Sequence, residues 1–584
     1  MVHKYKPAGL SRVSLLPMTT DEMRSREWDA LDVLLISGDA YVDHPSFGVA
    51  LLGRVLEDAG YRVGIVAQPR WDRLEDILRL GRPRLFAGVT AGALDSMLAH
   101  YTAFRKLRHD DAYTPGNIHG ARPNRACLVY TGLVRNAFPG LPVVLGGIEA
   151  SMRRASHYDF WTDKIRRSIL LDSKADLLVY GMGEKAVLEI AKRLDSCQAY
   201  SKELLWGIPG TAFACSASLD LAGHTCFPEV HEMLRLPGHE AILADAKALM
   251  TATLALEQQV HQGVCWAVQH AGTQQVFFTP PSPPLETPEL DALYALPFTR
   301  RPHPGYTNPI PAADMIQFSI TAHRGCAAGC TFCAIAQHQG RRIQSRSAAS
   351  IVTEAGGFTK HPDWKGSISD VGGPTANMWG ARCVSDPSRC RRPDCLFPRL
   401  CPHFKTDDTA LADLLHQVAG LQRVNHVRVA SGIRYDLGSL DNPYLRSLVR
   451  EFVGGQLKVA PEHLCDPVLR LMRKPARASF EAFLQFFEEE SRRAGKEQYV
   501  VPYLISAFPG CTDSDMRELA QWLQQRNWRP RQVQCFIPTP GTVAAAMFYA
   551  GIDTEEKPIF VARTDRDRLR QHRILAPPAA ESNT

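Results

Sequence analysis

The sequence predicts an α/β protein built from two successive parallel architectures, a doubly wound sheet and then a partial barrel. Through the first third of the chain, short apolar runs alternate with stretches of helical spacing, the pattern of parallel strands joined by helical crossovers. After a proline-rich interval the alternation resumes with six strand–helix units, too many for a small sheet and suited to an incomplete (β/α)6 barrel. A chain of 584 residues also exceeds what one hydrophobic core organises, so two or three domains are expected.

Taken in order, Asp32–Ser37 (DVLLIS) reads as a buried strand and Phe47–Tyr61 as the following helix, with a glycine near its end. Arg62–Gln68 and Arg84–Gly92 are the next strands. Leu141–Arg154 and Ala175–Leu194 each read as a strand running into a helix. The turns Gly146–Gly147 and Gly181–Gly183 fall at strand ends, where doubly wound sheets bind ligands. Tight turn geometry accounts for such glycines equally well. Residues 1–200 are therefore expected as a Rossmann-like domain.

From 201 to 310 the pattern loosens into a helical, proline-rich connector. Its one strong helix is His239–Val260, and Thr279–Leu290 and Arg301–Pro311 are proline-rich. The second domain is expected over 311–545, with strands at Met315–Thr321, Ser367–Val371, Val427–Ser431, Leu457–Pro461, Tyr499–Phe508 and Val533–Thr539. Helices at Thr409–Leu421, Ser479–Gly495 and Thr512–Arg526 lie between them. Residues 546–584 form a C-terminal extension, charged and ending in a tail expected to be disordered.

Composition excludes several classes. Hydrophobic content of 45% with 22% charged residues is ordinary for a globular protein, so neither a collagen-like nor a disordered chain is indicated. No apolar run is long enough to span a bilayer, and the N-terminus lacks the apolar core of a signal peptide. A cytoplasmic protein with no membrane partner is expected. A net charge of +6 permits nucleic acid without arguing for it. In a reducing compartment the fifteen cysteines do not read as disulfides. Eight are scattered and read as small buried hydrophobes: Cys127, Cys197, Cys215, Cys226, Cys265, Cys465, Cys511 and Cys535. The other seven fall between Cys326 and Cys401, as a triplet and then a quartet, which reads as metal or iron–sulfur ligation.

The triplet is Cys326, Cys330 and Cys333, with Phe332 before the last, directly after the first strand of the second series. Thiolates spaced three or four residues apart can each reach a different iron of one cluster. Three of them on a four-iron cluster leave one iron open for substrate, as catalytic zinc sites leave one position open. A zinc site is the competing reading, with His323 or His338 as fourth ligand.

Cys-x-x-x-Cys-x-aromatic-Cys after the first strand of a parallel barrel resembles the signature of the radical S-adenosylmethionine (SAM) superfamily. The resemblance implies a [4Fe-4S] cluster on Cys326, Cys330 and Cys333, with S-adenosyl-L-methionine chelated by the open iron and cleaved to a 5′-deoxyadenosyl radical. It also implies cofactor contacts, at Phe332 within the motif and at later strand ends. Gly372 and Gly373 occupy the place of the glycine pair that meets the methionine amino group, with Pro374 where many relatives carry an acidic residue. Ser431, Arg434, Glu462 and His463 are suited to the carboxylate or ribose, and the Pro-Gly turn of YLISAFPGC to the adenine. SDVGGPTANM, KVAPEH, PYLISAFPGC, FIPTPGTVAAAM and the quartet together resemble the YgiQ family of radical SAM proteins over nearly the whole chain. That implies an N-terminal domain like the cobalamin-binding Rossmann folds, but no established substrate. At the family level the one-electron donor would be a flavodoxin or ferredoxin.

The quartet Cys383, Cys390, Cys395 and Cys401 lies in an insertion over 380–405, with basic neighbours Arg382, Arg389, Arg391 and Arg392. It reads as ligands of an auxiliary iron–sulfur cluster or of structural zinc, with His403 spare. Cobalamin coordination by histidine usually goes with Asp-x-His-x-x-Gly. Here DAYVDHPSFG sets Val42 in the aspartate place and Gly48 four residues after His44. The reading is against a histidine ligand, and leaves cobalamin without one, or no cobalamin, as the alternatives. Competing functions are methyl or methylthio transfer to RNA within the radical SAM class, a non-catalytic iron–sulfur or zinc protein, and a nucleotide-binding α/β enzyme with a zinc insertion.

Overall fold

The computed structural model describes residues 14–219, 233–530 and 532–576, which form two compact units. One is built from the chain up to Pro284 together with Asp291–Gln317, and the other from Leu285–Leu290 and from Phe318 onward. Cys226 and the expected tail beyond residue 576 lie outside the described residues.

The first unit is organised by β1 (Val33–Ser37), β2 (Val63–Ala67), β3 (Phe86–Thr90), β4 (Val143–Gly146) and β5 (Leu177–Val179), mutually parallel in the order β2-β1-β3-β4-β5. Every side chain of β1 is buried, because helices cover both faces of a parallel sheet. The helix α1 (Gly48–Asp58) turns Val49, Ala50, Leu51, Val55 and Leu56 inward, the spacing that the 3.6-residue period demands. The crossover order, with the reversal between β1 and β3, is that of a doubly wound sheet.

The sheet does not end where a connector was expected. Residues 201–310 contribute β6 (Thr211–Ser216), β7 (Met233–Arg235), β8 (Trp266–Ala271) and β9 (Gln274–Phe278). These extend it to nine strands in the order β5-β6-β9-β8-β7, mostly antiparallel. Phe213, Trp266 and Phe277 pack on one face of this extension with Trp206, whose ring stacks on Phe213 at 4.9 Å. Aromatic burial of this size, not periodicity, holds the extension to the sheet.

In the second unit six parallel strand positions follow one another. β10 (Ser319–Thr321) pairs with β12 (Asp370–Gly372), and β11 (Ser367–Ile368), on the same chain segment as β12, pairs with β13 (His426–Val427). β14 (Gln456–Glu462), β15 (Tyr499–Ser506) and β16 (Gln532–Cys535) form a parallel trio. From β13 toward β14 the link is a single hydrogen bond, Val429 N–H to Phe452 O at 3.3 Å, rather than a ladder. The first strand is shorter than expected. Pro311 stands in the first turn of a helix, Pro311–Ile316, where its fixed φ favours helix over strand.

Candidate functional site

The loop carrying the three cysteines leaves β10 through a short antiparallel pair, His323–Arg324 with Gln344–Ser345. Gly325 sits at φ +83°, and a Cβ there would lie 2.2 Å from the Arg342 carbonyl oxygen, so the entry turn requires glycine. The Cys326 N–H bonds the Gly340 carbonyl at 3.1 Å, and the Cys333 N–H returns to Cys330 O at 3.1 Å. The loop is thereby closed at both ends by its own backbone.

Its middle is held from distant parts of the unit. The Gly329 N–H donates to Asp394 Oδ2 at 2.6 Å, and the Gly329 carbonyl accepts from Arg473 at 3.1 Å. A Cβ on Gly329 would meet the Pro393 carbonyl at 2.1 Å. Thr331 donates from its N–H to Met472 O and from its hydroxyl to Leu471 O, while its carbonyl accepts from the Ala544 N–H. Phe332 meets Phe508 edge-on at 6.2 Å, and Phe508 meets Phe536 in turn at 5.3 Å. This aromatic row is the reason for an aromatic before the last cysteine.

Burial raises the thiol pKa of Cys330, and pushes that of Cys333 up to about 12. Lys474 and Arg434 act on Cys330 in the opposite sense. Arg434 is buried and held as a fork. Nε and Nη2 grip Asp436, each at 2.7 Å, and Nη1 reaches Cys330 Sγ at 3.5 Å. Its own backbone is fixed by Asn377, which accepts from the Arg434 N–H and donates to its carbonyl. Lys474 is buried just beyond the helix Asp466–Met472. Asp394, Asp436, Asn377 and Lys474 are functional candidates that motif reasoning missed. Asp394, Asn377 and Lys474 act across the fold while Asp436 acts on Arg434 two residues before it, and only the clustering of charge around RYD and MRK hinted at two of them.

The expected cofactor contacts divide. A Cβ on Gly372 would fall 2.4 Å from Ser431 Oγ, and one on Gly373 would fall 2.5 Å from the His323 ring, so both glycines are needed for close packing at this rim. The Gly372 carbonyl accepts from the Ala322 N–H at 2.7 Å, whereas those of Gly373 and Pro374 lie past the end of β12. Ser431 binds Asp370 through both its N–H and its hydroxyl. Glu462 ends β14 in a left-handed conformation, φ +69°, at an irregularity in the ladder. Burial raises its pKa against the pull of Lys474 and Arg434, and its charge also bears on Cys333. A non-glycine residue held at positive φ beside the thiols is local strain of the sort that marks functional positions.

His463 is a correction. It is fully buried, its Nδ1 accepts from the Cys465 N–H at 3.0 Å, and its Nε2 lies 3.5 Å from Cys511 Sγ. With Nδ1 accepting, the neutral ring carries its proton on Nε2, which points to the sulfur. Both nitrogens are engaged inside the protein, so His463 is not an open rim residue.

None of the fourteen cysteines among the described residues is held in a disulfide. Within the quartet, Cys395 and Cys401 are buried, Cys390 is half-buried and Cys383 is exposed. Cys395 and Cys401 share one packed cluster with Ala327, Ala328, Leu396 and Phe404, against which Cys326 and Cys330 also pack. Among the described residues no three His, Cys, Asp or Glu side chains converge as a single-ion site. A four-iron cluster takes one thiolate per iron and does not demand that convergence.

In the first unit His44 is buried, its Nε2 2.8 Å from Arg300 Nη1 and its Nδ1 3.1 Å from the Ser46 N–H. At the strand ends Arg122 is fully buried and paired to Asp39 and Asp111, both at 2.8 Å. Gly147, at φ +80°, allows the chain to pass Thr90, whose hydroxyl a Cβ would meet at 2.3 Å. No helix among the described residues is long and apolar enough to cross a membrane.

Comparison with known proteins follows this geometry. Residues 15–319 match the family model described as Radical SAM N-terminal. A UPF0313 protein of Geobacter sulfurreducens is 49% identical over 568 residues, covering 96% of this chain and 92% of that protein. The UPF0313 protein YgiQ of Salmonella typhimurium is 42% identical over 627 residues, covering 98% and 87%. Among solved structures, TsrM of Kitasatospora setae is a radical S-adenosylmethionine methyltransferase seen with its tryptophan substrate and the SAM analog aza-SAM. It superposes with a TM-score of 0.50 at 14% identity, covering 87% of this chain and 74% of its own. At that identity the likeness concerns the fold alone.

Proposed function

The chain belongs to the YgiQ (UPF0313) family of radical SAM proteins, and from that premise we propose that Cys326, Cys330 and Cys333 hold a [4Fe-4S] cluster at which S-adenosyl-L-methionine is reductively cleaved. The observation that carries this is the triplet loop itself. Three soft donors lie within electrostatic reach of one another and beside two cations, Arg434 and Lys474. Its backbone is anchored at Gly325, Gly329 and Thr331 before any ligand arrives. When bound, the cluster supplies the single electron that splits the sulfonium to methionine and a 5′-deoxyadenosyl radical.

The protein's own residues supply the rest. Arg434 and Lys474 offset the charge of the deprotonated thiolates. Gly372 and Gly373 let Ser431 and His323 pack close against the backbone at the rim, and the carbonyls of Gly373 and Pro374, past the end of β12, are suited to an ammonium. Glu462 offers a carboxylate to a hydroxyl or ammonium donor. Phe332, Phe508 and Phe536 set an aromatic row beside Cys333. In the first unit the residues do not fit a histidine-ligated cobalamin, since Arg300 holds His44 and a buried arginine network fills the strand ends.

Protein reconstituted with iron and sulfide without oxygen should show the broad visible absorption of a four-iron cluster, and should form 5′-deoxyadenosine from S-adenosylmethionine and dithionite. The triple variant C326A/C330A/C333A should lose both. Nucleoside formation that survives in the variant would overturn the assignment.

A further inference from the structure

The proposed function requires an electron to reach the triplet loop from outside. Resting on that reading, we infer that the outer face of the cysteine-rich insertion, residues 382–405, is the docking surface for an acidic one-electron carrier protein.

The insertion has two unlike sides. Its inner side is fastened to the triplet loop: Asp394 takes the Gly329 N–H at 2.6 Å, and Cys395 donates its N–H to Ala327 O at 3.2 Å. Arg341 ties in from the loop's far end, donating to Arg392 O at 2.9 Å and to Cys395 Sγ at 3.5 Å. The outer side is exposed and basic, with Arg382, Arg389, Arg391, Arg399 and Lys405 all in solvent. These 24 residues hold six Arg and Lys against two Asp, a net +4 in a chain whose total is +6. Of the two aspartates, Asp394 is buried, leaving Asp386 as the one exposed acid, 3.8 Å from Arg389. Val384 and Leu400, 57% and 37% exposed, add a small apolar component. Charge of one sign around a little apolar surface suits a weak, fast encounter with a protein of opposite sign.

The same segment provides the route inward. Beside exposed Leu400, the Cys401 N–H donates to Cys395 O at 2.7 Å, the Cys395 N–H donates to Ala327 O, and Ala327 is bonded to Cys326. Two hydrogen bonds and a few covalent links thus join the surface to the first cluster ligand. The step moves one electron and nothing else. The carrier is oxidised by one equivalent, the four-iron cluster is reduced by one, and no proton or group is transferred. A single-stranded RNA would also seek basic charge, but its binding relies on aromatic side chains on which bases stack. The insertion has no Trp or Tyr, and of its two phenylalanines Phe404 is buried and Phe397 half-buried, so no fully exposed Phe, Tyr or Trp ring stands on its outer face.

The test is binding of oxidised flavodoxin, an acidic flavin protein, to the reconstituted full-length chain, followed by thermophoresis without turnover. Affinity should fall about tenfold or more between about 25 and about 300 mM KCl. At the lower salt it should fall by a similar factor in R382E/R389E/R391E/R399E, but not in the control R492E/K496E, which reverses exposed charges elsewhere on the same unit. The quadruple variant should keep the wild-type circular dichroism and cluster absorption, and its dithionite-driven SAM cleavage. Equal flavodoxin affinity in variant and wild type overturns the surface, as does an RNA oligonucleotide that binds it where flavodoxin does not. Failure of dithionite-driven cleavage in the wild type would instead strike the proposed function and leave the binding result standing.

Discussion

Asp394 uses both carboxylate oxygens on backbone amides, Oδ2 on Gly329 and Oδ1 on Leu396 and Phe397 at 2.6 and 3.0 Å. It is wholly buried, so no water replaces these bonds if the carboxylate is lost. Asp394→Asn keeps the volume but turns an N–H₂ toward an amide that is itself a donor, or leaves one of the three amides unmet. Buried hydrogen bonds to a charged group are worth about 1.5–3 kcal/mol, so the second unit should lose about 2–3 kcal/mol in urea unfolding. The variant should also take up less iron at the triplet. An unchanged unfolding midpoint together with full iron uptake would show that the insertion does not position the loop. The pair Asp394–Gly329 also marks a limit of reading from sequence. The cysteine motif is local, eight residues long, and fully legible. Its anchor lies 65 residues away, and nothing in the spacing connects the two.

At the scale of elements, the structure separates what periodicity can reveal from what it cannot. β1 to β5 were legible because parallel strands buried on both faces are uninterrupted apolar runs. The extension β6 to β9 was not. TAFACS, WAVQHA and QQVFF mix small, polar and aromatic residues amid prolines, and what makes them strands is pairing with one another and with β5. His463 was misplaced for a related reason: a polar residue after a strand looks exposed until the loop folds back on it. The insertion is the element whose chemistry is most open to measurement. Its inner pair, Cys395 and Cys401, packs beside the triplet, whereas Cys383 faces solvent. If all four cysteines ligate an auxiliary cluster, the protein purified without oxygen should contain about eight irons, and C395S/C401S about four. A wild-type value of about four would mean that the quartet holds no second four-iron cluster.

For the molecule as a whole, buried histidines set the response to acid. Desolvation pushes His157 down to about 3 and both His323 and His463 down to about 4, and His44 is held well below its usual range by burial and then by Arg300. In the unfolded chain each would take a proton near pH 6.5. A base whose folded pKa is depressed contributes stability that is complete above its unfolded pKa and is lost as pH falls toward the folded value. Stability should therefore decline below about pH 6.5, each histidine adding a slope of about 1.4 kcal/mol per pH unit until its folded pKa is reached. Buried carboxyls work in the opposite sense, since raised pKa values make the native state bind protons first: Asp39, Asp370 and Glu462. Each acts between its raised folded value and the unfolded value near pH 4, and there offsets part of the histidine slope. Asp39, pushed up to about 6, opposes His44 and His157 within the first unit. His323 and His463 belong to the second. Urea unfolding of the cluster-free protein, followed at pH 7.5, 6.5 and 5.5, should show midpoints moving to lower urea in acid. In H463Q the second unit's dependence should flatten by about one proton's worth, whatever its absolute stability. Midpoints that stay level or rise over this interval would mean that these histidines are charged in the native protein.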